Sequence, residues 1–137
     1  MNNNYYIGVG RRKEATARVY LKEGQGQAQV RTKQGKVKKL EDYFYMEPSL
    51  HKDIFRPLKL FNKEKDYDLI VRVKGSGFHS QAEAIRLGVA RALLKVSPEY
   101  KSTLKSFSML KKTHEGKKER EHIGFKTSRR PTQFSKR

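Results

Sequence analysis

Hydrophobic and polar residues alternate along the first third of the chain and adopt a helical spacing towards its middle. Tyr5, Ile7 and Val9 alternate with other residues as a strand requires, and Gly8 and Gly10 read as a bend or bulge. After Arg11-Arg12-Lys13 the alternation resumes, with Ala15, Ala17, Val19 and Leu21 on one face and Thr16, Arg18, Tyr20 and Lys22 on the other. Gly24-Gln25-Gly26 reads as a turn, so residues 28–31 are expected to pair back as a hairpin. Residues 33–39 are basic and read as a loop or edge strand, and Tyr43-Phe44-Tyr45 reads as a core anchor. Pro48 and Ser49 open a helix whose stripe is Leu50, Ile54 and Leu58, limited or kinked by Pro57. A polar loop over 62–66 follows.

Residues 68–74 form the clearest strand, with Leu69, Val71 and Val73 on one side and Ile70, Arg72 and Lys74 on the other. It runs through Gly75-Ser76-Gly77 into the best helix, where Ala82, Ile85, Val89, Ala92 and Val96 form one buried stripe. Arg86, Arg91 and Lys95 lie off that stripe. Ser97-Pro98-Glu99 reads as the cap of a last helix with the stripe Tyr100, Leu104 and Phe107. No internal repeat is visible. The order of elements predicts an α+β fold, a mainly antiparallel sheet with helices on one face.

Charge changes the picture at the C-terminal end. Residues 108–137 hold ten Lys and Arg against three acids, and their few apolar residues follow neither helix nor strand period. Such a segment cannot bury enough apolar surface to offset the entropy of ordering it, so it is expected to order only on a partner, a dense polyanion. Fully extended, thirty residues reach roughly 100 Å. The chain thus divides into a globular body, 1–107, and a basic tail, 108–137. The body carries +11 of the total +18, and its length suffices to bury about two thirds of its chain surface. A pI near 10.2 points to nucleic acid as partner. Charge alone fits a nucleoid-type DNA-binding protein equally well. No apolar run approaches membrane-spanning length, so no membrane partner is expected. The N-terminus carries no leader pattern, and the absence of cysteine fits a reducing compartment, the cytoplasm.

The sharpest local feature is the strand, glycine loop and helix over 73–85. Free N–H groups at a helix N-terminus, approached over glycines, suit an RNA phosphate or a nucleotide; the same sequence also suits a plain tight turn. Neither a P-loop nor a complete G-x-G-x-x-G is present. The histidines, His51, His79, His114 and His122, stand apart, and no metal is expected. The carboxylates, Asp66 and Asp68 among them, read as solvated charge. No nucleophile, base and orienting group are suggested, so neither an enzyme nor a cofactor is expected.

Three stretches, in order, resemble a known family. Residues 10–19 (Gly10-Arg11-Arg12-Lys13-Glu14-Ala15-Thr16-Ala17-Arg18-Val19) are similar to the N-terminal signature of the ninth protein of the small ribosomal subunit. Val73-Lys74-Gly75-Ser76-Gly77, with Gln81-Ala82-Glu83-Ala84-Ile85-Arg86-Leu87-Gly88, resembles its central glycine loop and helix. Arg129-Arg130-Pro131-Thr132-Gln133-Phe134-Ser135-Lys136-Arg137 resembles its terminus. Ser76 and Ser80 depart from the family by replacing glycines, and His114-Glu115-Gly116 replaces the usual Asp-Pro-Arg.

The resemblance implies a ribosomal S5 domain 2-like fold seated on ribosomal RNA in the small-subunit head, beside neighbouring ribosomal proteins. It implies a tail threading towards the P site, with Ser135, Lys136 and Arg137 near the anticodon stem-loop of the tRNA. Arg11, Arg12, Lys13, Arg18, Gly75, Gly77, Gln81, Arg86 and Arg91 are the body's candidate rRNA ligands. Lys117, Lys118, Arg120, Lys126, Arg129 and Arg130 are those of the tail.

Overall fold

The computed structural model describes residues 4–32, 35–45, 47–75 and 77–110, together with the backbone of 125–127 and 130–131. Among the described residues, β1 (Tyr6–Arg12), β2 (Ala15–Glu23), β3 (Ala28–Arg31), β4 (Val37–Lys39) and β5 (Tyr67–Lys74) form one mixed sheet in the order β1-β2-β5-β3-β4. Only the β3–β5 pairing is parallel. Between β4 and β5 the chain forms α1 (Leu40–Tyr43), α2 (Pro48–Ile54) and α3 (Arg56–Leu60); α4 (Phe78–Val96) and α5 (Tyr100–Ser106) follow β5. Two short segments, β6 (Phe125–Thr127) and β7 (Arg130–Pro131), pair as a separate antiparallel ribbon. The expected α+β class with helices beside a sheet is observed. The expected tail does not begin at residue 108: Met109 is buried in the core of the body and Leu110 packs against it, because the chain turns back after α5. Apart from β6 and β7, the rest of the expected tail lies outside the described residues.

The core follows from the two alternating strands. Ala15, Ala17, Val19 and Leu21 of β2 and Leu69, Val71 and Val73 of β5 are buried on one face. Helix α4 packs on that face with Ile85, Val89, Ala92 and Leu93, and Leu50, Ile54 and Leu58 close the same cluster. Each fully buried Leu or Ile contributes about 1.5–3 kcal/mol relative to exposure. Pro48 stands at the first helical position of α2, as its fixed φ favours.

Gly8 and Gly10 make neither bend nor bulge, because β1 runs unbroken to Arg12. They occupy inward positions where α4 lies against the strand backbone. A Cβ would stand 2.0 Å from the Gly88 carbonyl oxygen at Gly8 and 1.8 Å from that of Ala84 at Gly10. Ile7 and Val9 consequently face the other side of the strand, where Ile7 is 39% exposed, while Tyr6 shares the inward side with the glycines and packs against the core. The true hairpin turn is Lys13-Glu14, where Lys13 takes φ 53°. Positive φ at this first central position suits the right-handed twist of the strands it joins.

The expected pairing of β3 back onto β2 is also corrected: β5 lies between them. The physical reason is in Asp68, whose Oδ1 accepts N–H groups of Gln25, Gly26 and Gln27, each at 2.9 Å. Asp68 is therefore not the solvated charge expected; it draws the Gly24–Gln27 turn across the start of β5. Three smaller expectations change as well. Helix α5 begins at Tyr100 behind a turn rather than at Pro98, Phe107 is 55% exposed, and within the aromatic triplet Phe44 is buried while Tyr45 is exposed.

Candidate nucleic-acid interface

The face of the sheet turned away from the helices carries the outward residues of β1, β2, β5 and β3. Strand register decides which of them are neighbours. Arg18 pairs with Arg72 across the β2–β5 ladder, and Arg72 pairs with Arg31 across β5–β3. Three guanidinium-bearing positions thus stand in one row across three adjacent strands, about 10 Å from first to last. A second row runs Arg11, Thr16, Lys74. Like charges directly opposite one another destabilise a sheet. Among the described residues neither the Arg18 nor the Arg31 side chain makes a hydrogen bond or ion pair to offset this.

Aromatic rings interleave with these cations. The Arg72 guanidinium lies 5.8 Å from the centre of the Tyr20 ring, and Lys22 Nζ lies 5.8 Å from that of Tyr5. Tyr5 meets Tyr20 edge to face at 6.0 Å. Beside the arginine row the β3–β4 hairpin bounds a recess of about 510 Å³, lined among others by Arg18, Arg31, Arg72, Lys74, Thr16 and Val37.

The β1–β2 hairpin tip and the glycine loop form a corner of this face. Gly75 takes φ +82°, and a Cβ on it would stand 2.7 Å from the Glu14 carbonyl oxygen. Lys13 is exposed at the tip. The loop is held from within. Gln81 Nε2 donates to the Gly75 carbonyl at 3.0 Å, and the Tyr43 hydroxyl donates to Gln81 Oε1 at 2.7 Å. Burial pushes the Tyr43 phenol above its ordinary range, against the pull of the Gln81 bond, so the group remains a donor at neutral pH. Gly77 caps α4, and among the described residues nothing beyond its chain neighbours lies within 4 Å of the Cβ it lacks.

The structure separates the expected body ligands into two sets. Arg11, Lys13 and Arg18 are exposed, as are Gly75 and Gly77 of the loop. Arg12, Gln81, Arg86 and Arg91 are engaged inside the fold. Arg12 Nε meets Glu83 at 2.6 Å, Arg86 meets Asp53 at 2.9 Å, and Arg91 donates to the Val9 carbonyl at 2.7 Å. Lys126 and Arg130 fall in β6 and β7, where only backbone is described. Lys117, Lys118, Arg120, Arg129, Ser135, Lys136 and Arg137 lie outside the described residues.

Arg31, Arg72 and Lys74 are not singled out by the sequence as ligands. Outward alternation of Arg72 and Lys74 was visible there, but the row appears only once β5 is known to lie between β2 and β3. Among the described residues no group of three or more metal-ligating side chains exists, and no helix is long and apolar enough to cross a membrane.

One buried face, and one open face of clustered arginines with interleaved tyrosines, define a basic α+β protein. The family model for ribosomal protein S9/S16 matches residues 10–137. A relative named small ribosomal subunit protein uS9 from Thermotoga petrophila is 43% identical over 133 residues, covering 96% of each chain. Another of that name, from Mycoplasma mobile, is 39% identical over 138 residues and covers all of both chains. A third, from Mesomycoplasma hyopneumoniae, is 42% identical over 132 residues. The chain belongs to the ribosomal protein S9 family. It is accordingly a structural component of the cytoplasmic ribosome and not an enzyme.

Proposed function

We propose that this protein binds ribosomal RNA in the head of the small subunit through the open face of its sheet. The observation that carries this is the row Arg18, Arg72, Arg31, which concentrates positive charge where no carboxylate among the described residues pairs with it. Arg11, Lys13 and Lys74 extend the contact, and the Gly75–Gly77 loop lets backbone approach a phosphate. Arg12, Gln81, Arg86 and Arg91 act by holding the shape of that surface. The basic segment beyond the buried Met109, residues 111–137, serves as a separate tail that runs between RNA strands to the P site. There Ser135, Lys136 and Arg137 add salt-sensitive attraction for the tRNA anticodon stem-loop. Its support is the charge of the segment and its terminal motif. Neighbouring ribosomal proteins of the head complete its surroundings.

Two measurements test the reading. Stable, stoichiometric migration with the small subunit through a sucrose gradient, before and after a high-salt wash, is expected; release by moderate salt or migration with DNA would contradict it. Removing residues 135–137 is expected to leave subunit assembly nearly intact while speeding tRNA release from the P site. Equal tRNA off-rates would dismiss the tail contact.

A further inference from the structure

The recess beside the arginine row has a chemistry of its own. It is bounded by the β3–β4 hairpin on one side and by β2 and β5 on the other. It is an open groove rather than an enclosed cavity, and its volume of about 510 Å³ is comparable with that of small-molecule clefts, roughly 300–1,000 Å³. Among the described residues four cations line it, Arg18, Arg31, Arg72 and Lys74, and no carboxylate does. Its wall also carries Val37, an apolar side chain left 54% exposed on an edge strand.

We propose that this recess is a subsite for one unstacked nucleotide of a single-stranded RNA segment. The inference rests on the RNA-binding reading above and adds which form of RNA the face selects. A duplex offers a convex wall of phosphates and 2′-hydroxyls, which cannot enter a recess of this size. A base swung out of its stack can. Guanidinium planes supply both halves of the recognition: a flat cationic face for the base and a fork for the adjoining phosphate. Val37 gives the base an apolar contact, and Thr16 a hydroxyl that donates or accepts according to the base edge it meets. Lysines in the same places would attract the phosphate but offer no plane for stacking.

The test uses the full chain and fluorescence anisotropy with three probes: a single-stranded oligoribonucleotide, the same strand with its bases removed, and a blunt RNA duplex. The base-bearing strand is expected to bind about tenfold more tightly than the abasic strand of equal charge. Arg72→Lys, which keeps the charge and loses the plane, should bring the two strands within about twofold, a larger loss for the base-bearing strand than for the duplex. Val37→Ser should do the same with no change of charge. Both positions are exposed, and melting by circular dichroism checks the fold. Equal wild-type affinity for the base-bearing and abasic strands would overturn the subsite. So would a base preference that survives both substitutions, or a loss shared equally by all three probes. A wild-type chain that binds none of the probes would overturn the RNA-binding reading itself.

Discussion

Arg18 and Arg72 stand directly opposite each other on neighbouring antiparallel strands. With Arg31 beyond Arg72, the isolated protein carries an electrostatic strain that bound phosphate would relieve. Arg18→Thr is therefore expected to stabilise the free protein by about 0.2–1 kcal/mol at low salt. The gain should shrink in high salt, which screens exposed charges. Urea denaturation at two ionic strengths measures both; destabilisation at low salt would contradict the account.

Gly10 makes the opposite kind of prediction, because its constraint is steric. A methyl group there would overlap the Ala84 carbonyl and force α4 away from β1. Gly10→Ala should cost about 3 kcal/mol, the upper end of typical overpacking. Chemical denaturation checks it, and a loss below 1 kcal/mol would show that the helix shifts freely.

Lys13 separates stability from binding. Its left-handed φ of 53° costs a non-glycine residue about 1 kcal/mol, so Lys13→Gly should raise the melting temperature by a few degrees. The same change removes a cation from the exposed hairpin tip and should weaken RNA binding. Improved stability with unaltered RNA affinity would remove Lys13 from the interface.

Arg86 answers to a different rule. It is three-quarters shielded and bonded to Asp53, which also meets Arg56 at 3.2 Å. Arg86→Ala should destabilise the fold by about 1–2 kcal/mol, the cost of losing a partly shielded charged hydrogen bond. RNA affinity should stay within about twofold, since no direct phosphate contact is lost. A loss of affinity without a loss of stability would return Arg86 to the list of direct ligands.

His51 predicts a pH dependence. Burial lowers its pKa below the ordinary 6.5, with the Glu41 charge opposing and the Lys59 charge assisting. The unfolded chain therefore takes up the proton first as pH falls. Stability from the neutral ring is complete above about pH 6.5 and is lost as pH falls through the lower folded-state value. The loss is small because the ring is partly exposed. His51→Gln should flatten the melting temperature against pH in that window; identical slopes would refute the assignment.

The elements were legible where a single segment carries its own signal. The stripe Ala82, Ile85, Val89, Ala92 and the alternation of Leu69, Val71 and Val73 each state which side is buried without reference to any other segment. What was not legible is which elements meet. Gly8 and Gly10 are ambiguous until α4 is seen against them, because a missing side chain serves a bend and a close approach alike. Gly24-Gln25-Gly26 signals a turn, but its destination depends on the Asp68 carboxylate 41 to 43 residues away. The binding face shared this limit. Arg18 was recognised from its own strand, whereas Arg31 and Arg72 became its partners only through strand order. Charge marked Arg12, Arg86 and Arg91 as candidate ligands too, and nothing in one dimension distinguishes a cation facing RNA from one facing Glu83 or Asp53.

The placement of β5 between β2 and β3 has a consequence for the protein's own synthesis. A nascent chain emerging N-terminus first carries β1–β2 and β3–β4 as two ribbons with no common sheet. Only when residues 67–74 leave the exit tunnel can the halves join, and Arg72 then arrives between Arg18 and Arg31 in the same event. Until then the growing polypeptide lacks the completed arginine row, so that surface is assembled late and in one step.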